Sequence, residues 1–167
     1  MALVGVILSA CTVNEDTAPV SGLQGLPEQI CRMQVPTIDL APLLPQSGEV
    51  RVHNTDSRHS FTSCRVYVND ALVFDMNLFL VDEYGTEDEG PLFGLKNIQE
   101  VAGEGVGVAD NGAYAGVECG VPGALVLDLE FIVYHEEVAD VEQRREDIEA
   151  FMYSLASAAK ESEKCTG

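Results

Sequence analysis

Basic residues are scarce in this sequence. Nine lysines and arginines stand against 28 aspartates and glutamates, for a formal net charge of −19. Nucleic-acid binding needs a basic stripe to neutralise phosphates, so that class is excluded. The one adjacent basic pair, Arg144-Arg145, lies among Glu142, Glu146, Asp147 and Glu149 and reads as helix-face ion pairing. A solubility surface accounts for the acidity, and any partner is expected to be basic or cationic. Long apolar runs are missing too: beyond the N-terminus the longest are broken by Asp75, Asn77, Asp128 and Glu130, and none reaches the roughly 20 residues of a membrane span. There is no Cys-x-x-Cys pair, which argues against a structural zinc site, and no Gly-x-Ser-x-Gly elbow, which argues against that class of serine hydrolase.

What is present suits one folded unit. The 167 residues are 46% hydrophobic and 22% charged, enough apolar material for a single sizeable core. Residues 1–11 form an uncharged apolar run that stops at Cys11, which matches the core of a secretory signal peptide. The basic start of such leaders is missing, since no Lys or Arg precedes Arg32, so the leader is expected to be truncated or its start misassigned. Leu8-Ser9-Ala10-Cys11 resembles the lipobox of bacterial lipoproteins, which implies a division into a signal peptide (1–10), a lipidated Cys11 with a flexible tether (11–24), and one disulfide-stapled domain (25–167).

Within that domain, Pro27 and Pro36 bracket a short helix expected over 27–33. Residues 49–54 read as the first strand. The clearest alternation is Leu72, Phe74, Met76, Leu78 and Leu80, the second arm of a hairpin over 63–81 broken at Asn69-Asp70. A three-residue loop, 69–71, would pair Val68 with Leu72 and Val66 with Phe74 on the core side, and Arg65 with Asp75 outside. A short helix is expected within 92–101. A second hairpin runs from 113–119 through Gly120-Val121-Pro122-Gly123 into Leu125, Leu127, Leu129, Phe131 and Val133. The chain closes with a helix over 141–164. Asp140 and Gln143 form its capping box, and Val141, Ile148, Phe151, Met152, Leu155 and Ala159 form its apolar stripe. The expected fold class is α+β: an antiparallel sheet of two hairpins packed by the long C-terminal helix.

With Cys11 assigned to lipid, Cys31, Cys64, Cys119 and Cys165 remain, an even set suited to an oxidising compartment. Three connectivities are possible. Sequential pairing is expected because it fastens a small first element and the fraying end of the last helix to the sheet, each bond contributing roughly 3–4 kcal/mol. The chain resembles the small cell-envelope lipoproteins of actinobacteria. The resemblance rests on Leu8-Ser9-Ala10-Cys11 as a lipobox, Ile30-Cys31, Leu43-Leu44-Pro45 with Gly48, Ser63-Cys64-Arg65-Val66, Gly105-Val106-Gly107-Val108-Ala109, Glu118-Cys119 and Lys164-Cys165. It implies diacylation of Cys11 and an extracytoplasmic, membrane-anchored location, and it carries no activity.

Residue types of a hydrolase triad crowd together at His53, Asp56, Ser57, His59 and Ser60, but a triad is normally assembled from distant segments, so this reads as a solvated loop. The acidic stretch 82–90 lacks EF-hand spacing, Glu104 would repel phosphate from the glycines around it, and His135-Glu136-Glu137 lacks the second histidine of a zinc protease. No catalytic residue, metal site or cofactor is assigned. The expected role is binding a cationic ligand or an envelope protein, the alternative being an enzyme or enzyme accessory on cell-wall material with His53 or His59 as acid or base. If the histidines are dispensable, a His53→Ala/His59→Ala double variant keeps its fold and loses no metal; stoichiometric zinc on the wild type, absent from the variant, would show the opposite.

Overall fold

The computed structural model describes residues 22–56, 61–81, 94–101, 105–119, 126–135, 140–162 and 165. In chain order the strands are β1 (Gly22–Gln24), β2 (Gln29–Ile30), β3 (Met33–Gln34), β4 (Ser47–Asp56), β5 (Phe61–Val68), β6 (Ala71–Val81), β7 (Gln99–Val101), β8 (Val106–Ala109), β9 (Gly112–Glu118) and β10 (Val126–Val133). Helix α1 (Thr37–Leu40) runs into a 3-10 turn at Ala41–Leu43, and α2 covers Val141–Lys160. The architecture is α+β, but the sheet is larger than two hairpins: among the described residues it has eight strands in the order β1-β4-β5-β6-β10-β9-β8-β7. All neighbours are antiparallel except β1 and β4, which run parallel. Gly22–Gln24, expected to belong to the tether, is thus a strand; burial of Leu23 against the sheet edge gives it a reason to pair.

The helix expected over 27–33 is instead a tight hairpin. Ile30 pairs with Met33, and the turn between them places Cys31 and Arg32 at φ 50° and 64°. Two apolar residues three apart satisfy a helical stripe, but they equally satisfy a two-residue hairpin whose arms point the same way. Two positive φ values at non-glycine residues are uncommon. Here the Cys31–Cys64 disulfide, with Cα atoms 5.6 Å apart, ties the turn to β5.

The β5–β6 hairpin turns on two residues, not three, with Asn69 and Asp70 at φ 50° and 67°, the geometry that matches strand twist. Val68 therefore pairs with Ala71 and Tyr67 with Leu72. A bulge then intervenes, with Val73 as the extra residue, and Val66 meets Phe74 and Arg65 meets Asp75 as expected. Turn and bulge together deliver the expected Val66–Phe74 pair on the core side, but not Val68–Leu72: Leu72 meets Tyr67 on the other face, and the bulged Val73 is buried in its stead. The helix expected within 92–101 is absent from its described part. Asn111 accepts a hydrogen bond from the Lys96 N–H and donates one to the Gly94 carbonyl, both 2.8 Å, and Asn97 adopts φ 54° before β7. Such side-chain bonds to backbone compete with a helical ladder.

Helix α2 begins where expected, with Asp140 Oδ1 accepting from the backbone N–H of Glu142 and Gln143. The reciprocal half of the capping box is not made, because the Gln143 amide turns to Asp147. Ile148, Phe151, Met152, Leu155 and Ala159 are buried, whereas Val141 is 52% exposed. Arg144 and Arg145, expected to pair along the helix face, both reach the sheet. Arg144 is buried and donates to the Val133 carbonyl; Arg145 reaches Asp110 (Nε to Oδ1, 2.8 Å) and the carbonyls of Asn97 and Val108. The Asn97 amide and then Arg145 hold the Asp110 carboxyl below its usual range.

One face of the sheet is sealed by α2, α1 and the β2–β3 hairpin. At its centre Phe74 of β6, Phe131 of β10 and Phe151 of α2 meet in a triangle with ring centroids 5.3, 5.6 and 5.2 Å apart. Ser154 of α2 donates to the Asp39 carboxylate, fixing α1 to the long helix. The second disulfide joins Cys119, just after β9, to Cys165, with Cα atoms 4.7 Å apart. Both bonds close loops of moderate length, with separations of 33 and 46 residues. Each is expected to contribute roughly 4 kcal/mol, so reduction should lower Tm markedly, and Phe151→Ala should cost about 3–5 kcal/mol in denaturant unfolding.

Candidate functional site

The opposite face of the sheet carries different residues. Strand alternation sends Phe74, Met76, Leu78, Leu127, Leu129, Phe131 and Val133 toward α2, so Asp75, Asn77, Phe79, Asp128, Glu130 and Ile132 point the other way. On β5 the same rule brings Phe61, Ser63, Arg65 and Tyr67 to this second face; on β9 it brings Tyr114 and Gly116. Tyr134, the residue after β10, joins them and is 49% exposed. Phe61 and Phe79 pack as a cross-strand pair with centroids 4.9 Å apart.

The polar residues of this second face are organised around two carboxyls. Asp75 receives the Arg65 guanidinium at 3.2 Å and the Ser63 hydroxyl at 3.5 Å. That hydrogen bond and charge raise the Arg65 pKa. Glu130, one strand over, has a different environment. It sits between Asn77 of β6 and Tyr114 of β9, and the residue is only 9% exposed. Burial, with the Asp75 charge as a second cause, pushes its carboxyl up to about 7. Among the described residues, none forms a hydrogen bond or ion pair with Glu130 or with the Asn77 side chain. Tyr134 is also raised, first by burial and then by Asp75, which places its ring beside the same charges.

Tyr114 is already committed. Its hydroxyl donates to Glu100 of β7, and burial followed by that bond pushes it up to about 12. The ring crosses Gly107 of β8 to get there, and a Cβ at Gly107 would collide with it. Glycine is required at that position for the row Glu100-Gly107-Tyr114-Glu130 to form. A separate cleft of about 660 Å³ opens at the other side of the molecule, between the β2–β3 turn and the end of α2. It is lined by Gln29, Arg32, Gln34, Thr62, Glu161 and Ser162 beside the Cys31 sulfur.

The residues singled out from sequence are distributed differently. His53 is exposed on β4, directly across from Arg65, at the edge of the face just described. Asp56 ends the same strand, and Ser57, His59 and Ser60 lie outside the described residues. No triad is therefore assembled from described residues, and no group of three His, Cys, Asp or Glu among them is arranged to hold a metal ion. Cys11 and its lipobox, residues 1–10, the acidic stretch 82–90, Glu104, the turn at 120–123, Glu136, Glu137 and Lys164 also lie outside the described residues. Among those that are described, no helix is long and apolar enough to cross a membrane. In the sequence Glu130 stands out only as a polar break in an apolar stretch; the available signal is a carboxylate at the centre of a strand flanked on both sides by buried positions.

The raised carboxyl has a sign that experiment can read. Below its ordinary value of 4.5, Glu130 is protonated whether the chain is folded or not. Between there and about 7 the unfolded chain ionises while the folded one resists, so this group subtracts stability as pH rises through that window. Glu130→Gln should therefore melt above the wild type at about pH 8, with the gap closing at about pH 4. A gap of the same size at both pH values would mean the carboxyl is not held neutral.

No family model, no curated protein and no solved structure matches this chain. Of the resemblance to envelope lipoproteins, the two cysteine pairs are the part present in the structure.

Proposed function

We propose that this chain is an extracytoplasmic binding protein, held to a membrane through acylated Cys11 and presenting the face around Glu130 and Asp75 to a ligand or envelope partner. The observation that carries the binding half is the contrast between the two faces of one sheet. One is closed by helices over an apolar core; the other holds aromatic side chains, a buried carboxyl at Glu130 and a half-buried amide at Asn77, neither with a partner among the described residues. Buried polar groups are nearly always satisfied by protein, water or ligand, so such groups on a working face mark where a ligand would be held.

Two features support the extracytoplasmic half. The apolar run of residues 1–10 stops at a cysteine. Both remaining cysteine pairs are joined and largely buried, as suits an oxidising compartment. Binding is preferred to catalysis because His53 faces a guanidinium across the strand pair, not a carboxylate that would tune it as a base. The test is fractionation in the native host. Wild-type protein should partition with membranes and carry an acylated Cys11 as its first residue, and Cys11→Ser should be released or left unprocessed. An intact, unmodified Met1 on the mature protein would refute the anchor.

A further inference from the structure

Glu130 and Asn77 form a directly opposed cross-strand pair on the face turned away from α2. The glutamate is nine-tenths buried, and neither side chain has a hydrogen-bond or ion-pair partner among the described residues. A carboxyl and an amide oxygen thus stand side by side with acceptor capacity unspent. The charged and titratable groups facing them can be named strand by strand. From β5 and β6 come Arg65 and Asp75, paired with each other. From β9 comes Tyr114, whose hydroxyl is given to Glu100 of β7. From β10 itself come Asp128, two residues along, and Tyr134 just beyond the strand. Among the described residues, the one cation of this cluster, Arg65, is therefore already engaged, and the titratable groups around Glu130 are acidic or aromatic.

We propose that Glu130 is the receiving group of a ligand site for the primary ammonium of a small aliphatic amine, with the Asn77 carbonyl oxygen as second acceptor. An ammonium is favoured over a metal ion because no three ligating side chains converge among the described residues. It is favoured over an anion because Asp75 and Asp128 share this face with Glu130 and the chain carries a net charge of −19. A compact ammonium with three donors suits two neighbouring acceptors. Phe79, on the same face two residues from Asn77, offers its exposed ring to the aliphatic stem. Because Glu130 is held partly protonated near neutral pH, docking is coupled to a proton: the acid releases its proton to solvent, and the carboxylate formed pairs with the ammonium.

This assignment rests on the binding reading above only in taking the same face as the working surface. It is tested by isothermal titration of the full chain with 1,5-diaminopentane in two buffers of different ionisation heat. The expected result is binding with release of roughly half a proton per amine at about pH 7, and affinity rising about tenfold from pH 6 to pH 8. Glu130→Gln, shown by circular dichroism to be folded, should lose about tenfold or more in affinity and all proton release. Should that variant not fold, Asn77→Leu serves in its place, losing affinity several-fold while keeping the proton release. Equal binding of 1,5-pentanediol, amine binding without proton release, or undiminished affinity in either folded variant overturns the assignment. So does binding of a lysine-containing peptide without binding of the free amine. A negative result alongside membrane partitioning through Cys11 would sink this site and leave the anchored protein intact.

Discussion

The contact on which the rest of the structure depends is the meeting of Phe74, Phe131 and Phe151. Strands β4, β5 and β6 form one antiparallel run and β7 to β10 another, and they become one sheet only where β6 pairs with β10. Phe74 and Phe131 stand on those two strands, facing α2, and Phe151 closes over them edge-on. Aromatic rings in this arrangement contribute both buried area and favourable edge-to-face geometry. Helix and seam are thereby mutually dependent: without α2 the joined sheet would expose its most apolar strip, and without the seam α2 would have no continuous surface to cover.

Everything peripheral is fastened to that centre by other means. The β2–β3 hairpin is two residues per arm, too short to persist alone, and the Cys31–Cys64 bond together with burial of Ile30 and Met33 keeps it in place. At the opposite end of the sheet, Arg145 gathers Asp110, Asn97 and Val108, linking the start of α2 to the turn between β8 and β9. Cys119–Cys165 holds the chain beyond the last turn of α2. These are covalent or charge-assisted links at places where apolar contact is sparse.

Closing one face so completely leaves the chemistry to the other. Asp75 and Glu130 are near neighbours on adjacent strands, yet their surroundings differ: Asp75 is paired with Arg65, and Glu130 is kept from ionising by burial and by Asp75 itself. The difference comes from one column of the sheet, because Arg65 pairs with Asp75 and no cation stands across from Glu130 on either side.

Several elements were legible in the sequence because they depend on local periodicity. The alternation from Phe74 to Leu80 and from Leu127 to Val133, the N-cap at Asp140 and the buried stripe from Ile148 to Ala159 all follow from spacing and side-chain type, whereas the bulge turns Leu72 out of the expected face. The Arg65–Asp75 pair was legible as well, since opposite charges had to fall on one face once the core side was assigned. The sequence alone could not distinguish a helix from a hairpin at Ile30 and Met33, where three-residue spacing satisfies both, nor count eight strands when β1, β7 and β8 are three or four residues long. It also could not reveal that Arg144 and Arg145 leave the helix for the sheet, or that Glu130 is buried without a partner. Those outcomes were decided by tertiary structure, because burial and the absence of a neighbouring cation are properties of strands brought together from distant parts of the chain.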